Sequence, residues 1–484
     1  MRIGVLLALV SFGFYTCQKT EQATNPPNIV IILTDDQGYG DLGSYGATDF
    51  TTPHLDRMAA NGIRFTHFYA AQAVCSASRA GLLTGCYPNR IGINGALNPQ
   101  AQHGIADQEM TLAELVKSVG YTTGIFGKWH LGHHQQFLPL QHGFDEYFGL
   151  PYSNDMWPIH YDGRPATDST HRKFRHPFPP LIEGNETIER ITSMDQQDQL
   201  TARYTEKAVD FIRRHHDKPF LLYLPHTMPH VPLGVSKEFK GKSEQGLYGD
   251  VMIEIDWSMG QIISTLEAFQ LLENTLVIFT TDNGPWLNFG NHAGSTGGLR
   301  EGKGTTFEGG QRVPCIMQWP ETIPAGKVCN RLSSAIDILP TIAEITGAKL
   351  PEHKIDGVSL LPLLIEKNPS APREIFYYYY GRNNLEAVRY KHWKLIFPHI
   401  SRSYQGVLPG NDGLQGPYRR DTVEMALYDL RRDPGEHYDV QERYPEMVET
   451  ILAIAEDARK DLGDQLTGRE GSGRREPGRL GIGE

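Results

Sequence analysis

Apolar and polar positions follow two rhythms along the chain. As far as about residue 371, unbroken apolar runs stop abruptly at polar clusters. Residues 28–33 (Asn-Ile-Val-Ile-Ile-Leu) end in Thr34-Asp35-Asp36, residues 220–224 end in Pro225-His226, and residues 275–281 end in Asp282-Asn283. Runs of this length, apolar on both faces, predict buried parallel strands. Segments 110–120, 201–215, 250–269 and 335–347 instead repeat apolar residues at intervals of three and four, the period of a helix with one buried face. Alternation of the two predicts an α/β fold with a large, mostly parallel central sheet flanked by helices. Ligands of open α/β sheets gather beyond the carboxyl ends of strands, which is where all three runs deliver polar side chains.

From about residue 372 the rhythm changes. Segments 375–380, 386–389 and 393–397 are aromatic and alternating, and Leu427-Tyr428-Asp429-Leu430 precedes a helical pattern near 444–462. This predicts a smaller C-terminal antiparallel α+β subdomain. The expected division is 1–24 as an export signal and tether, 25–371 as the main α/β domain, 372–466 as the subdomain, and 467–484 as a Gly/Arg-rich tail. That tail has almost no apolar residues, so disorder is expected there, Arg469, Arg474, Arg475 and Arg479 included.

Composition adds bounds. A length of 484 residues exceeds the roughly 250–300 that one core usually supports, which favours two domains. The net charge of −11 argues against nucleic acid as a partner and requires any polyanion to be held by a local basic pocket. Arg2 followed by an apolar run over 3–15 reads as an export signal, too short to span a bilayer. Cys17, just past that run, resembles the lipid-modified cysteine of bacterial lipoproteins. The expected location is therefore exported, in the periplasm or as a cell-surface lipoprotein of a bacterium, with membrane contact only through Cys17. Cys86, Cys315 and Cys329 fit either one bridge, Cys315 to Cys329, or buried free thiols.

The candidate chemistry is an anion site around a hard cation. Asp35, Asp36, Asp282 and Asn283 offer only oxygen ligands, which suit calcium or magnesium better than zinc or copper. Lys128 and His130 lie two apart, on one face of an extended segment. Taken singly, each feature has a plainer reading: Asp35-Asp36 as a solvated turn, Lys128-Trp129-His130 as surface, Gly302-Lys303-Gly304 as a flexible loop. The last lacks the upstream glycine spacing of a phosphate-binding loop.

Together they carry more. Cys75-Ser76-Ala77-Ser78-Arg79, continued to Gly85, and the segment 120–130 ending in Gly127-Lys128-Trp129-His130 resemble the two signatures of type I, formylglycine-dependent sulfatases. The matching order of elements, from Asn28 to about Val440, covers most of the chain, and Pro151-Tyr152-Ser153-Asn154-Asp155 resembles a segment of the arylsulfatase A and N-acetylgalactosamine-6-sulfatase branch of the alkaline phosphatase superfamily. The resemblance implies an alkaline-phosphatase-like catalytic domain over 25–371 and hydrolysis of O-sulfate esters, most plausibly on a sulfated glycan. It implies that a maturation enzyme oxidises Cys75 to formylglycine, whose hydrate attacks sulfur to give a covalent sulfo-enzyme. The implied metal ligands are Asp35, Asp36, residue 75, Asp282 and Asn283 around calcium.

The implied roles follow the motifs. Arg79 holds the formylglycine, Lys128 and Lys303 bind sulfate, and His130 takes a proton from the second diol hydroxyl. His230, picked out by the spacing Tyr-Leu-x-x-x-x-x-His-x-Pro, protonates the leaving alcohol, as suits an imidazole. His226 and Ser153, the latter within Pro151-Tyr152-Ser153-Asn154-Asp155, are carried over as substrate contacts. Ala77 departs from the commoner Pro, which makes maturation depend on the host. Two other readings stand beside this one: a phosphodiesterase or phosphonate monoester hydrolase of the same superfamily, and a catalytically silent protein that binds sulfated glycans. Trp157, His160, Arg164, His171, Trp286, His292 and Arg300 are loop residues of types that bind sugars or sulfates.

Overall fold

The computed structural model describes residues 26–367 and 369–481; the expected export signal and Cys17 lie outside them. The ten main strands of the central sheet are β1 Asn28–Thr34, β2 Ile63–Tyr69, β3 Thr122–Phe126, β4 Glu146–Gly149, β5 Pro180–Glu183, β6 Glu186–Arg190, β7 Phe220–Pro225, β8 Thr275–Thr281, β9 Arg312–Gln318 and β10 Lys327–Cys329. Their spatial order is β10-β2-β9-β8-β1-β7-β3-β4-β5-β6, with the short strand Ser333–Ser334 also on β2. The middle five, β8-β1-β7-β3-β4, run parallel. β9 runs against both β8 and β2.

Register explains why distant polar clusters meet. Leu33 of β1 pairs with Pro225 of β7, and Thr34 pairs with Thr281 of β8. Asp35-Asp36, His226 and Asp282-Asn283, each one step further on, therefore emerge side by side at one sheet edge. The strands feed two cores by alternation: Ile29, Ile31 and Leu33 join one, Val30 and Ile32 the other. The first core is closed by helices Leu112–Lys117 and Ile338–Thr346, the second by Leu200–Arg214 and Leu247–Ala268.

A separate four-stranded antiparallel sheet joins Ile375–Tyr380, Asn384–Tyr390, Trp393–Ile396 and Ala426–Asp429, packed by helix Pro445–Leu462. It meets the larger part through an aromatic core that includes Tyr69, Tyr87, Phe376 and Tyr378. A fully buried ion cluster adds to this seam: Lys394 Nζ lies 3.2 Å from Glu308 Oε1 and 2.7 Å from Glu436 Oε1. Stripping one partner from such a cluster would strand a charge and cost about 3–5 kcal/mol.

One expectation needs correction and one open alternative is decided. The tail is ordered through residue 481: Gly478–Arg479 pairs with His103–Gly104, and Arg475 clasps the buried Glu109 at 2.6 and 2.8 Å. Cys315 and Cys329 are free thiols. Both sit opposite Phe65, on strands flanking β2. Two ladder spacings of about 4.8 Å put their Cα atoms beyond the reach of a disulfide.

Candidate active site

Cys75 opens the helix Cys75–Thr84, every residue of which is buried. Arg79 follows one turn later on the same face, so the residue at 75 and a guanidinium point into the same space. The guanidinium is fully buried and each of its three nitrogens donates a hydrogen bond. Nε donates to Asp282 Oδ2 at 2.9 Å, Nη2 to Asp35 Oδ2 at 3.0 Å and Nη1 to the Lys128 carbonyl at 2.7 Å. Arg79 thus ties the ends of β1, β3 and β8 to its helix.

Lys128 leaves β3 through Gly127, whose φ is 141° and where a Cβ would come within 2.0 Å of the Pro225 carbonyl. Only glycine lets the chain pass so close to β7. The Lys128 ammonium then reaches Asp35 Oδ2 and, at 3.2 Å, Ser153 Oγ. Lys303 Nζ stands 2.8 Å from Asp36 Oδ2 and 3.4 Å from Cys75 Sγ. Asp35 Oδ1 is the other neighbour of that sulfur, also at 3.4 Å. His230 brings Nε2 to 3.6 Å from Asp36 Oδ2, with its Nδ1 held by the Val231 carbonyl at 2.6 Å. Asp36 and His130 both adopt left-handed φ, 66° and 65°, an unfavourable conformation for residues with side chains.

The electrostatics are those of a buried, mixed-charge cluster. Burial pushes the Asp35 carboxyl up, but Lys128 and Arg79 outweigh it and hold the group well below the usual range. Asp282, buried beside the Asp35 charge, is raised to about 6. Burial, then Asp282 and Asp35, push the Cys75 thiol well up, so as a cysteine it stays protonated and unreactive. Burial lowers Lys303, yet Asp36 and its neighbours more than reverse this. His230 is lowered by burial and by Lys303, and His130 is held well down by burial, Lys128 and Arg79.

The donor set fits a hard cation. Ligating atoms of Asp35, Asp36, Cys75 and His230 lie within 4.8 Å of one another. Asn283 is buried with Nδ2 donating to Asp36 Oδ1 at 2.7 Å, while its Oδ1 has no partner, an oxygen left over beside three carboxylates.

A family model described as Sulfatase matches residues 27–348. The chain belongs to the sulfatase family. A second model, described as N-sulphoglucosamine sulphohydrolase, C-terminal, matches residues 302–460. The sulfatase is 38% identical over 470 residues to N-acetylgalactosamine-6-sulfatase of Canis lupus familiaris, covering 91% of this chain and 87% of that one. It is 39% identical over 462 residues to arylsulfatase A of Bos taurus, covering 89% and 87%. The crystal structure of PsFucS1 sulfatase from Pseudoalteromonas sp. superposes with a TM-score of 0.80 at 28% identity, over 90% of each chain. The protein is a sulfuric ester hydrolase.

In this sulfatase the side chains of Asp35, Asp36, Cys75, Arg79, Lys128, Ser153, His230, Asp282, Asn283 and Lys303 come together in one cluster. His130 lies behind them, its Nε2 2.9 Å from the Leu97 carbonyl and its Nδ1 without a partner. His226 does not converge. Its Nε2 faces Ser258 Oγ at 3.3 Å in the helix Leu247–Ala268, and burial holds its pKa near 3, so it is a packed structural histidine rather than a substrate contact. Trp157 is likewise core, donating Nε1 to the Asn154 carbonyl at 2.8 Å, and Arg300 stacks on Phe307 while donating to the Glu436 carbonyl at 3.0 Å. Trp286 does reach the site: its ring lies 5.8 Å from that of His230 and 4.9 Å from Lys303 Nζ. Sequence reasoning missed the pair Asp155–Lys173, 3.6 Å apart and buried next to Ser153, since a lysine 18 residues downstream gives no local signal.

Proposed function

We propose that this sulfatase hydrolyses O-sulfate esters of a sulfated glycan, with formylglycine at position 75 and calcium at the carboxylate cluster. One observation carries the reading: Cys75 Sγ stands between a cation and a carboxylate, Lys303 Nζ and Asp35 Oδ1, each at 3.4 Å. A thiol donates and accepts only weakly, whereas an oxygen nucleophile does both strongly. Sγ thus marks where a diol oxygen of the matured residue would lie. Formylglycine hydrate would supply a hydroxyl to attack sulfur. Asp35, Asp36, Asp282 and the orphaned Asn283 Oδ1 would hold calcium, which would lower the pKa of that hydroxyl and neutralise a sulfate oxygen.

The chain's own groups do the rest. Lys128, beside Asp35, and Lys303, beside Asp36, would offset the negative oxygens of the ester, the main electrostatic requirement of such a transfer. Arg79 fixes Asp35 and Asp282, so the carboxylates cannot swing toward the incoming anion. His230 Nε2 faces the same space, with Nδ1 bonded to the Val231 carbonyl, a placement suited to protonating a leaving alcohol. His130, behind this group with Nδ1 unpaired, would take the proton when sulfate departs. Ser153, held by Lys128, would touch the ester oxygens.

A glycan substrate is supported by the relative named for a sulfated sugar. Action in the periplasm or at the cell surface, after processing by a formylglycine-generating enzyme, completes the proposal. The test is peptide mass spectrometry across residue 75 on protein from its own host, paired with release of sulfate from 4-nitrophenyl sulfate and from N-acetylgalactosamine 6-sulfate. An aldehyde or hydrate mass with activity supports the reading; a thiol mass with full activity overturns the nucleophile. Calcium at 100 times its Kd should raise Tm by roughly 3 °C, and Asn283→Ala should shrink that shift.

A further inference from the structure

Next to the nucleophile's loop lies a cavity of about 180 Å³ whose walls include Gly304, Tyr380, Glu386, Arg402, Tyr418 and Arg420. Gly304 directly follows Lys303. At its φ of +81°, a Cβ would meet Arg402 Nη1 at 3.0 Å and Tyr380 Oη at 3.1 Å. The two arginines come from a two-stranded ribbon, His399–Ser403 with Arg419–Val423, separate from both sheets. The ribbon is fastened to the Lys303 loop. Ser403 Oγ and the Tyr404 N–H donate to Glu301 at 2.6 and 2.8 Å, and Tyr404 Oη donates to the Lys303 carbonyl at 2.7 Å.

The charge arrangement is unusual. Arg402 and Arg420 are direct cross-strand partners, so two like charges stand on one face of a ribbon, an arrangement that destabilises the pair unless something lies between them. Neither has a carboxylate partner among the described residues. Arg402 donates only to Tyr404 Oη, at 3.1 Å, and lies 4.5 Å over the Tyr418 ring. Glu386, the one acid in the wall, is taken up by Thr306 Oγ1 at 2.9 Å and by His399 Nε2 at 3.3 Å. The half-buried Arg402, with the exposed Arg420 and Tyr418 at the open rim and Tyr380 within, presents two unneutralised guanidinium forks and two tyrosine hydroxyls to a space fit for one oxyanion and its waters.

We propose that Arg402 and Arg420 bind a second anionic group of the substrate, a sulfate ester or a carboxylate on the sugar or its neighbour, and so select multiply charged glycans. The inference rests on the sulfatase reading and deepens it. Because the ribbon hangs on the Lys303 loop, the second anion docks while the first is aligned with residue 75. Binding energy from the remote group then adds to positioning at the reacting one.

The test compares kcat/KM for matched probes on the mature holoenzyme, Arg402→Ala, Arg420→Ala and Arg402→Lys. The probes are N-acetylgalactosamine 6-sulfate, its 4,6-disulfate, the 6-sulfated chondroitin disaccharide that adds a carboxylate, and 4-nitrophenyl sulfate, which has one anion. The wild type should favour at least one doubly charged sugar by about tenfold, and Arg402→Ala should erase that preference, as loss of one charge-assisted contact implies. Whichever sugar is favoured identifies the second anion as sulfate or carboxylate. Hydrolysis of 4-nitrophenyl sulfate should stay within about twofold in every variant, and Arg402→Lys should recover only part of the preference. The same preference in wild type and Arg402→Ala, or an equal fall on all four probes, overturns the inference. A wild type inactive on all four probes defeats the sulfatase reading instead. Calorimetric binding of the disulfate to wild type and Arg402→Ala then decides this site alone: equal affinities reject it.

Discussion

Arg79 Nε donates to Asp282 Oδ2 at 2.9 Å, binding the helix that begins with Cys75 to the end of β8. This contact, and those of Arg79 to Asp35 and Lys128, do not involve the side chain at 75. Cys75→Ala should therefore fold normally and keep most of its calcium binding, through the remaining oxygen ligands, while losing at least about 10³-fold in sulfate release. Turnover of 4-nitrophenyl sulfate, with the calcium-induced change in Tm as the control, is the measurement. Near-normal turnover would remove residue 75 from the chemistry.

His230 faces the site from a different direction, hinged between Pro229 and Val231. If its Nε2 protonates the departing oxygen, His230→Ala should slow a sugar alkyl sulfate by about 10²-fold or more but an aryl sulfate far less, because a phenolate leaves without help. A ratio of the two losses near one would assign His230 to sulfate binding alone.

How far the sequence carried this reading depended on where each signal lay. The strands that build the site were visible because a parallel strand buried on both faces writes a continuous apolar run; β8 occupies Thr275–Thr281, the segment expected. The helix expected over 110–120 shortens to Leu112–Lys117, starting at a Thr111–Glu114 capping box and ending before Gly120, whose φ is 91°. Motif spacing picked out His230, but it could not place His226, four residues earlier in the same irregular loop, since no regular period says which way that ring turns. The tail misled for another reason. It folds through charged contacts to distant partners, Arg475 with Glu109 and the Gly473 carbonyl with Arg90 at 2.8 Å, which local composition does not reveal.

Away from the site, Glu254 is buried with Oε1 unpaired and Oε2 accepting the Ser236 N–H at 3.1 Å. Burial raises its pKa from 4.5 to about 7, with Asp198 and Glu238 adding to the rise. Between those values the folded protein binds more protons than the unfolded chain, so this group makes stability fall as pH rises from about 4.5 and level off above about 7. Glu254→Gln should match the wild type near pH 4.5 and exceed it by on the order of 3 kcal/mol at pH 8. Melting curves across that range would show it; a constant offset at all pH values would mean the carboxyl does not titrate there.

The ordered tail gives the last prediction. Arg475 meets the fully buried Glu109 with two parallel hydrogen bonds, and the other ion-pair contact to that carboxylate among the described residues is His353 Nε2 at 3.5 Å, an imidazole whose pKa burial and Arg475 lower. Replacing Arg475 by Ala would leave that carboxylate without its main partner, and a cost of about 2–3 kcal/mol follows, somewhat under the figure for a fully enclosed pair because the arginine is partly exposed. Adding Glu109→Gln should return much of the loss, since the stranded charge would be gone. A solvated tail would behave differently: Arg475→Ala would then change stability by no more than about 0.5 kcal/mol, and Glu109→Gln would cost the same with or without it. Denaturant melts of the wild type, the two single variants and the double variant separate these cases.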